Sequence, residues 1–148
     1  MNSLHQRSFD VSDTIETDVH KAVKAALSDY AVSKNVPPYD EKELSIVRRS
    51  ENGEVVACLT GRTYWNWLCI EYLWVHETLR GQGVGSALVK AAEDEAQMRG
   101  CVAVYLWSEH FFGPDFYPKL GYTAVLVVDD APIGHQCTEF IKYLGGVR

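Results

Sequence analysis

The sequence predicts an α+β, or mixed α/β, domain built around one sheet. Apolar runs of strand length alternate with stretches of helical period in the order β, α, β-β-β, α, β, α, β, β. Glycines stand where the most apolar strand hands over to the best-formed helix. At 148 residues with 47% hydrophobic content, the chain fits one domain whose core needs no staples.

Residues 3–9 have the pattern of a short strand, and Val11-Ser12-Asp13 then offers capping side chains, so the first helix is expected to begin there. Val19, Val23, Ala26, Leu27 and Tyr30 recur so as to paint one stripe on a helix, and Asn35-Val36-Pro37-Pro38 ends it. Residues 44–49 and 55–60 read as strands joined by the turn Glu51-Asn52-Gly53-Glu54. After the turn-like Tyr64-Trp65-Asn66, residues 67–76 are apolar almost throughout, as in a central strand, and only Glu71 breaks the run. Val84, Ala87, Leu88, Ala91, Ala92 and Met98 mark a helix over residues 83–99, closed by Gly100. That helix is a crossover, so the strand ending at Val75 and the strand at residues 101–107 are expected to be parallel. A short helix at 116–120 ends at Gly121, and residues 122–128 and 137–144 read as the last two strands.

The formal charge of −6, from 14 basic and 20 acidic residues, argues against a nucleic-acid backbone or an anionic membrane as the main partner. A cationic substrate suits it better, although solvated surface carboxylates account for the same balance. Cys58, Cys69, Cys101 and Cys137 are widely spaced, with no Cys-x-x-Cys pair or nearby histidine to suggest zinc, and read as reduced thiols. Residues 1–10 carry one arginine and no apolar run, so no secretory signal is expected. No stretch approaches the roughly 20 apolar residues that span a bilayer, and a cytoplasmic location is expected.

Arg80-Gly81-Gln82-Gly83-Val84-Gly85-Ser86 lies between the most apolar strand and the best-formed helix. A helix N-terminus leaves backbone N–H groups unpaired and partly positive, so a pyrophosphate can dock where no side chain obstructs it. Glycines remove the obstruction and permit conformations that turn successive N–H groups toward one anion, and Arg80 adds a charge. A dinucleotide fingerprint is incomplete, because Ser86 or Leu88 stands where its third glycine belongs, and a Walker A loop lacks its Gly-Lys-Ser/Thr. A tight turn with no ligand needs fewer glycines than this.

The segment 80–85 matches the pattern Arg/Gln-x-x-Gly-x-Gly/Ala, and Phe116-Tyr117-Pro118-Lys119-Leu120-Gly121-Tyr122 matches Phe-Tyr-x-x-Leu-Gly-Phe/Tyr. On these residues the chain resembles the GNAT superfamily of acyl-CoA-dependent N-acetyltransferases. Leu73-Trp74-Val75 stands where that family has its CoA strand, and the helix after the loop stands where it has its pyrophosphate helix. The resemblance covers residues 44–144 well, whereas residues 1–39 match only in their strand-then-helix order.

The resemblance implies one acetyltransferase domain over residues 1–148 and a mostly antiparallel sheet flanked by helices, with one parallel pair splayed to hold CoA. It implies acetyl-CoA as co-substrate and a small-molecule or peptide amine as acceptor. Leu73 and Val75 match the pantetheine contacts, with the Leu73 N–H as donor to the thioester oxygen. The amides of Gly83, Val84, Gly85 and Ser86 take the pyrophosphate, and Arg80, Gly81 and Gln82 complete that loop. Tyr117 corresponds to the tyrosine that protonates the departing thiolate; its alternative is an ordinary packed tyrosine, and Pro118 departs from the pattern beside it.

An ammonium ion must lose a proton before it attacks a thioester. Glu71 is the candidate base, expected on one strand face with Cys69, Leu73 and Val75; cation anchor and structural edge residue are its alternatives. His76 and His110 follow the two flanking strands and either relay protons or are simply solvated or hydrogen-bonded. Cys58 and Cys69 are expected to face each other across a hairpin; an acyl-cysteine route is weighed against inert buried thiols. The aromatic stretches 64–67 and 107–112 are walls for an acceptor, core, or a dimer contact. A non-catalytic acyl-CoA sensor, an aminoglycoside-type enzyme and a longer acyl donor are the competing readings.

Overall fold

The computed structural model describes residues 9–145. Two compact units divide the chain, one reaching to Tyr39 and one starting at Asp40. The strand expected at residues 3–9 lies, but for Phe9, outside the described residues, and Phe9 belongs to no strand.

In the first unit, α1 spans Thr17–Ser33 and starts later than the capping signals suggested. The Ser12 hydroxyl instead accepts the Thr14 N–H at 3.1 Å, a local turn that competes with helix. The expected stripe is not buried: Val19, Val23, Leu27 and Tyr30 are half exposed or more, and Ala31 is the buried residue of the helix. Asn35, at φ 59°, ends α1: its N–H reaches Val32 O and the Val36 N–H reaches Ala31 O, at 3.0 and 2.9 Å. The Tyr39 N–H then donates to Ser28 Oγ, folding the Pro37-Pro38 segment back along the helix.

In the second unit a six-stranded sheet has the order β1-β2-β3-β4-β6-β5, with β1 Lys42–Arg49, β2 Val55–Tyr64, β3 Trp67–Val75, β4 Ala103–Glu109, β5 Thr123–Asp129 and β6 Gln136–Tyr143. All neighbouring pairs are antiparallel except β3 and β4, which the crossover helix α2, Val84–Met98, makes parallel. α3 is Phe116–Lys119. No helix of the described residues is long and apolar enough to cross a membrane.

The strand β2 runs four residues past the expected end at Thr60, because Gly61 to Tyr64 pair with Ile70 to Trp67. Trp65 and Asn66, both at positive φ, make the two-residue turn between them. The β1–β2 turn is tightened by the Gly53 N–H to Ser50 O, with only Gly53 of the Asn-Gly pair left-handed.

One face of this sheet carries Leu44, Ala57, Leu59, Leu68, Ile70, Val104, Leu106 and Phe140 into a core with Leu88, Val89, Ala92 and Ala96 of α2 and Tyr117 of α3. On β3 the core positions are Leu68 and Ile70, then Leu73 and Val75. The change of parity has a cause. Thr60 pairs with Tyr72 and Gly61 with Ile70, so Glu71 is the extra residue of a β-bulge. A bulge shifts the alternation by one residue, sending Tyr72 and Trp74 to the opposite face.

Candidate active site

The loop that precedes α2 uses its glycines for two different reasons. Gly81 and Gly83 sit at φ 70° and 78°, where a side chain is strained, although a Cβ on either would meet open space. Gly85 has no such φ, but its missing side chain makes room for the Phe116 ring, 3.3 Å from where a Cβ would stand, with Val75 Cγ2 at 3.8 Å. The end of β3, the first turn of α2 and the start of α3 therefore meet at Gly85.

Gly83 is the N-cap of α2 and offers no capping side chain. The first bond of the helix runs from the Ala87 N–H to Gly83 O at 3.0 Å, so the amides of Val84, Gly85 and Ser86 have no acceptor within it. Uncapped amides at the positive end of a 15-residue helix suit an anion. Arg80 and Gln82 brace the loop: Arg80 Nε donates to Val75 O at 3.0 Å and Gln82 Nε2 to Thr78 O at 2.8 Å. A cleft of about 380 Å³ on the β1 side of this turn is lined by Ile46, Arg48, Gln82 and Val84, away from the β3–β4 opening.

That opening is visible in the register. The parallel pairing runs from Trp67 with Ala103 to Ile70 with Leu106 and stops, while β3 continues to Val75 and β4 to Glu109. The His76 N–H donates to Val56 O, which fixes the antiparallel phase: Trp74 and Tyr72 bond to β2, and the alternate residues Leu73 and Val75 turn their N–H and C=O toward β4. Leu73 and Val75 thus face a gap where a strand partner has ended, next to the uncapped helix, with the Val75 C=O there accepting from Arg80 Nε. An extended amide-bearing chain can add itself there as a strand would.

Glu71 stands on the face opposite the core. Of the residues expected beside it, only Cys69 shares that face; Leu73 and Val75 lie on the core side of the bulge. Its carboxylate forms an ion pair with Arg62 Nη2, and Arg62 Nη1 also reaches Glu41 Oε2 at 3.4 Å. Burial pulls the Arg62 guanidinium down, but the hydrogen bonds and charges of Glu71 and Glu41 outweigh it and hold the group above its ordinary pKa. Arg62 Nε is buried without a hydrogen-bond partner. Beside this pair, Tyr105 hydrogen-bonds to Tyr64 through their hydroxyls and to Cys69. Burial raises the Cys69 thiol, against a smaller lowering by Tyr105, so it stays a thiol rather than a nucleophilic thiolate. Cys58 pairs in register with Trp74 and Cys69 with Arg62, so the two cysteines do not face each other as expected.

Tyr117 is buried, packed edge-on against Phe116 and Tyr122 and tilted on Phe140. Burial alone pushes its hydroxyl up to about 12. Pro118 is accommodated within α3, with Lys119 N–H bonded to Asp115 O. His76 caps the short turn Glu77–Leu79, its Nδ1 within 2.8 Å of Thr78 Oγ1 and 3.3 Å of the Thr78 N–H. His110 lines a smaller cleft with Pro118 and Phe140. Trp67 is edge-on to Tyr105 and Tyr143 on the Glu71 face. Sequence reasoning missed Arg62 and Gly61; their signal, a bulge opposite Glu71, exists only once β2 and β3 are paired.

The family model of the acetyltransferase (GNAT) family matches residues 12–122. The chain belongs to the GNAT acetyltransferase family. This GNAT chain is 30% identical over 118 residues to an acetyltransferase of Agrobacterium fabrum, covering 80% of this chain and 85% of that one. It is 36% identical over 95 residues to a blasticidin-S acetyltransferase of Streptomyces morookaense, covering 64% and 70% of the two chains. A solved acetyltransferase structure from Bacillus cereus, 33% identical, superposes with a TM-score of 0.75 over 91% of this GNAT chain and 98% of that one. The mixed α+β fold, with its single parallel pair, is that of GNAT acetyltransferases, a family that uses acetyl-CoA.

Proposed function

We propose that this acetyltransferase moves the acetyl group of acetyl-CoA directly to an amine, and that residues 1–148 act as one catalytic domain. The observation that carries this reading is the parting of β3 from β4 after Ile70 and Leu106, beside the uncapped first turn of α2. The residues fit an acyl-CoA: backbone groups of Leu73 and Val75 for the pantetheine amides, and the amides of Val84, Gly85 and Ser86, with Gly83 leaving them unobstructed, for the pyrophosphate. Acetyl-CoA supplies a thioester carbonyl, toward which the Leu73 N–H is the candidate donor.

Glu71 takes the proton of the incoming ammonium, and the Arg62 ion pair fixes where its carboxylate points. Tyr117, protonated at neutral pH, donates a proton on the other side of the transfer. The raised Cys69 thiol supports direct transfer over an acyl-cysteine. The reduced cysteines favour a cytoplasmic setting.

The acceptor is a small-molecule or peptide amine. The relative named a blasticidin-S acetyltransferase favours the small molecule and supports an antibiotic acceptor as a second reading. The test is thermal stabilisation by acetyl-CoA together with CoA release on a panel of polyamines, aminoglycosides, amino acids and peptides. Stabilisation with turnover on one amine class is the expected result. Stabilisation with no turnover on any amine overturns it in favour of an acyl-CoA sensor, and no stabilisation at saturating acetyl-CoA removes the phosphate-loop reading.

A further inference from the structure

The bulge at Glu71 does more than seat a carboxylate. Beyond it, Tyr72 and Trp74 stand on the sheet face opposite α2, at 73% and 43% exposure. Across the gap on β4, Val104 and Leu106 point into the core, so Trp107 stands on the same outer face as Tyr72 and Trp74, 46% exposed. Tyr72 and Trp74 lie past Ile70 and Trp107 lies past Leu106, where pairing ends. Three large aromatic side chains thus border the two lips of one opening.

Carboxylates stand beside them: Glu71, ion-paired with Arg62, and Glu139, the register partner of Trp107, which lies close enough to act on the Cys69 thiol. Aromatic faces attract cations and stack on planar groups such as a guanidinium, and carboxylates beside them add to that preference.

We infer that Tyr72, Trp74 and Trp107 form an aromatic clamp that selects acceptors whose amine is carried next to a flat cationic or heteroaromatic plane. This rests on the acetyl-transfer reading and adds the substrate class to it. The Glu71 bulge is what turns Tyr72 and Trp74 outward; without it, Leu73 and Val75 would occupy that face and present no ring.

The test compares agmatine and an aminomethylpyrimidine, which carry a plane, with spermidine, which does not. Tyr72→Ala, Trp74→Ala and Trp107→Ala are expected to keep the melting temperature of wild type and to lower the ratio of kcat/KM for planar amines over spermidine about tenfold each. Trp74→Phe restores the ratio. An equal loss on all three amines, or an unchanged ratio, overturns the clamp. Tryptophan fluorescence gives a readout without turnover: planar amines quench wild type, and Trp74→Ala and Trp107→Ala weaken the quench. If wild type acetylates no amine but the quench and its loss are seen, the transfer reading fails and the clamp stands; no quench overturns the clamp. Fluorescence that instead tracks protein concentration, with alanine variants turning a dimer into a monomer, makes this face a self-contact and also overturns it.

Discussion

The carbonyl oxygen of Cys69 occupies the space that a side chain on Gly61 would need, 2.2 Å from the position of a Cβ. This close approach of two backbones is where β2 and β3 change register, and it places Glu71 in the bulge. Gly61→Ala must push the strands apart. It is expected to cost about 3 kcal/mol in urea unfolding and to cut acetyl transfer even at temperatures where the variant is fully folded.

Glu71 and Arg62 should be separable by kinetics. Glu71→Gln is expected to lower kcat about 100-fold with KM little changed. A rise confined to KM assigns Glu71 to holding the cation instead. Arg62→Lys keeps a charge but not the fork that spans Glu41 and Glu71, so an intermediate loss is expected.

The two kinds of loop glycine predict two kinds of defect. Gly83→Ala puts a side chain at φ 78°, costing about 1–2 kcal/mol, and deforms the amides of the first turn. Calorimetric titration should find acetyl-CoA binding weakened by more than the stability loss explains. Gly85→Ala disturbs Phe116 instead, and its effect should be read in the melting temperature.

The Tyr117 hydroxyl, held at about 12 by burial, stays protonated near neutrality. A tyrosine in the unfolded chain ionises near pH 10, so the unfolded state loses its proton first and stability falls between about pH 10 and 12. Tyr117→Phe removes that fall: relative to wild type, the variant should gain about 2 kcal/mol across that window. At neutral pH its kcat is expected to drop modestly, because a CoA thiolate is a good leaving group.

Glu93 is buried on α2 and receives Lys142 Nζ on both oxygens at 2.9 Å and the Tyr122 hydroxyl at 3.0 Å. Lys142→Met leaves that carboxylate without its cation. It is expected to cost about 3 kcal/mol in thermal or urea unfolding and to leave the chemistry of the bound amine untouched.

Elements that follow from local chemistry were legible before any coordinates. The α2 stripe, the glycine-rich loop and the apolar central strand report their own conformation, because period and turn chemistry act within a few residues. The stripe of α1 likewise located a helix, Thr17–Ser33, but its start was misplaced, because the Ser12 hydroxyl serves a turn rather than a cap.

By itself the sequence determined the order of elements from α1 to β6, the parallel crossover, the glycine-rich loop ahead of α2 and the family resemblance, since each is written in residues close along the chain. Only the tertiary structure decided which face each residue of β3 occupies. The bulge is made by Gly61 meeting Cys69 across two strands, and one added residue there reverses the alternation on which every facing assignment rests. It left Glu71 with Cys69, moved Leu73 and Val75 into the core, and gave Glu71 the Arg62 partner that no spacing along the chain predicts.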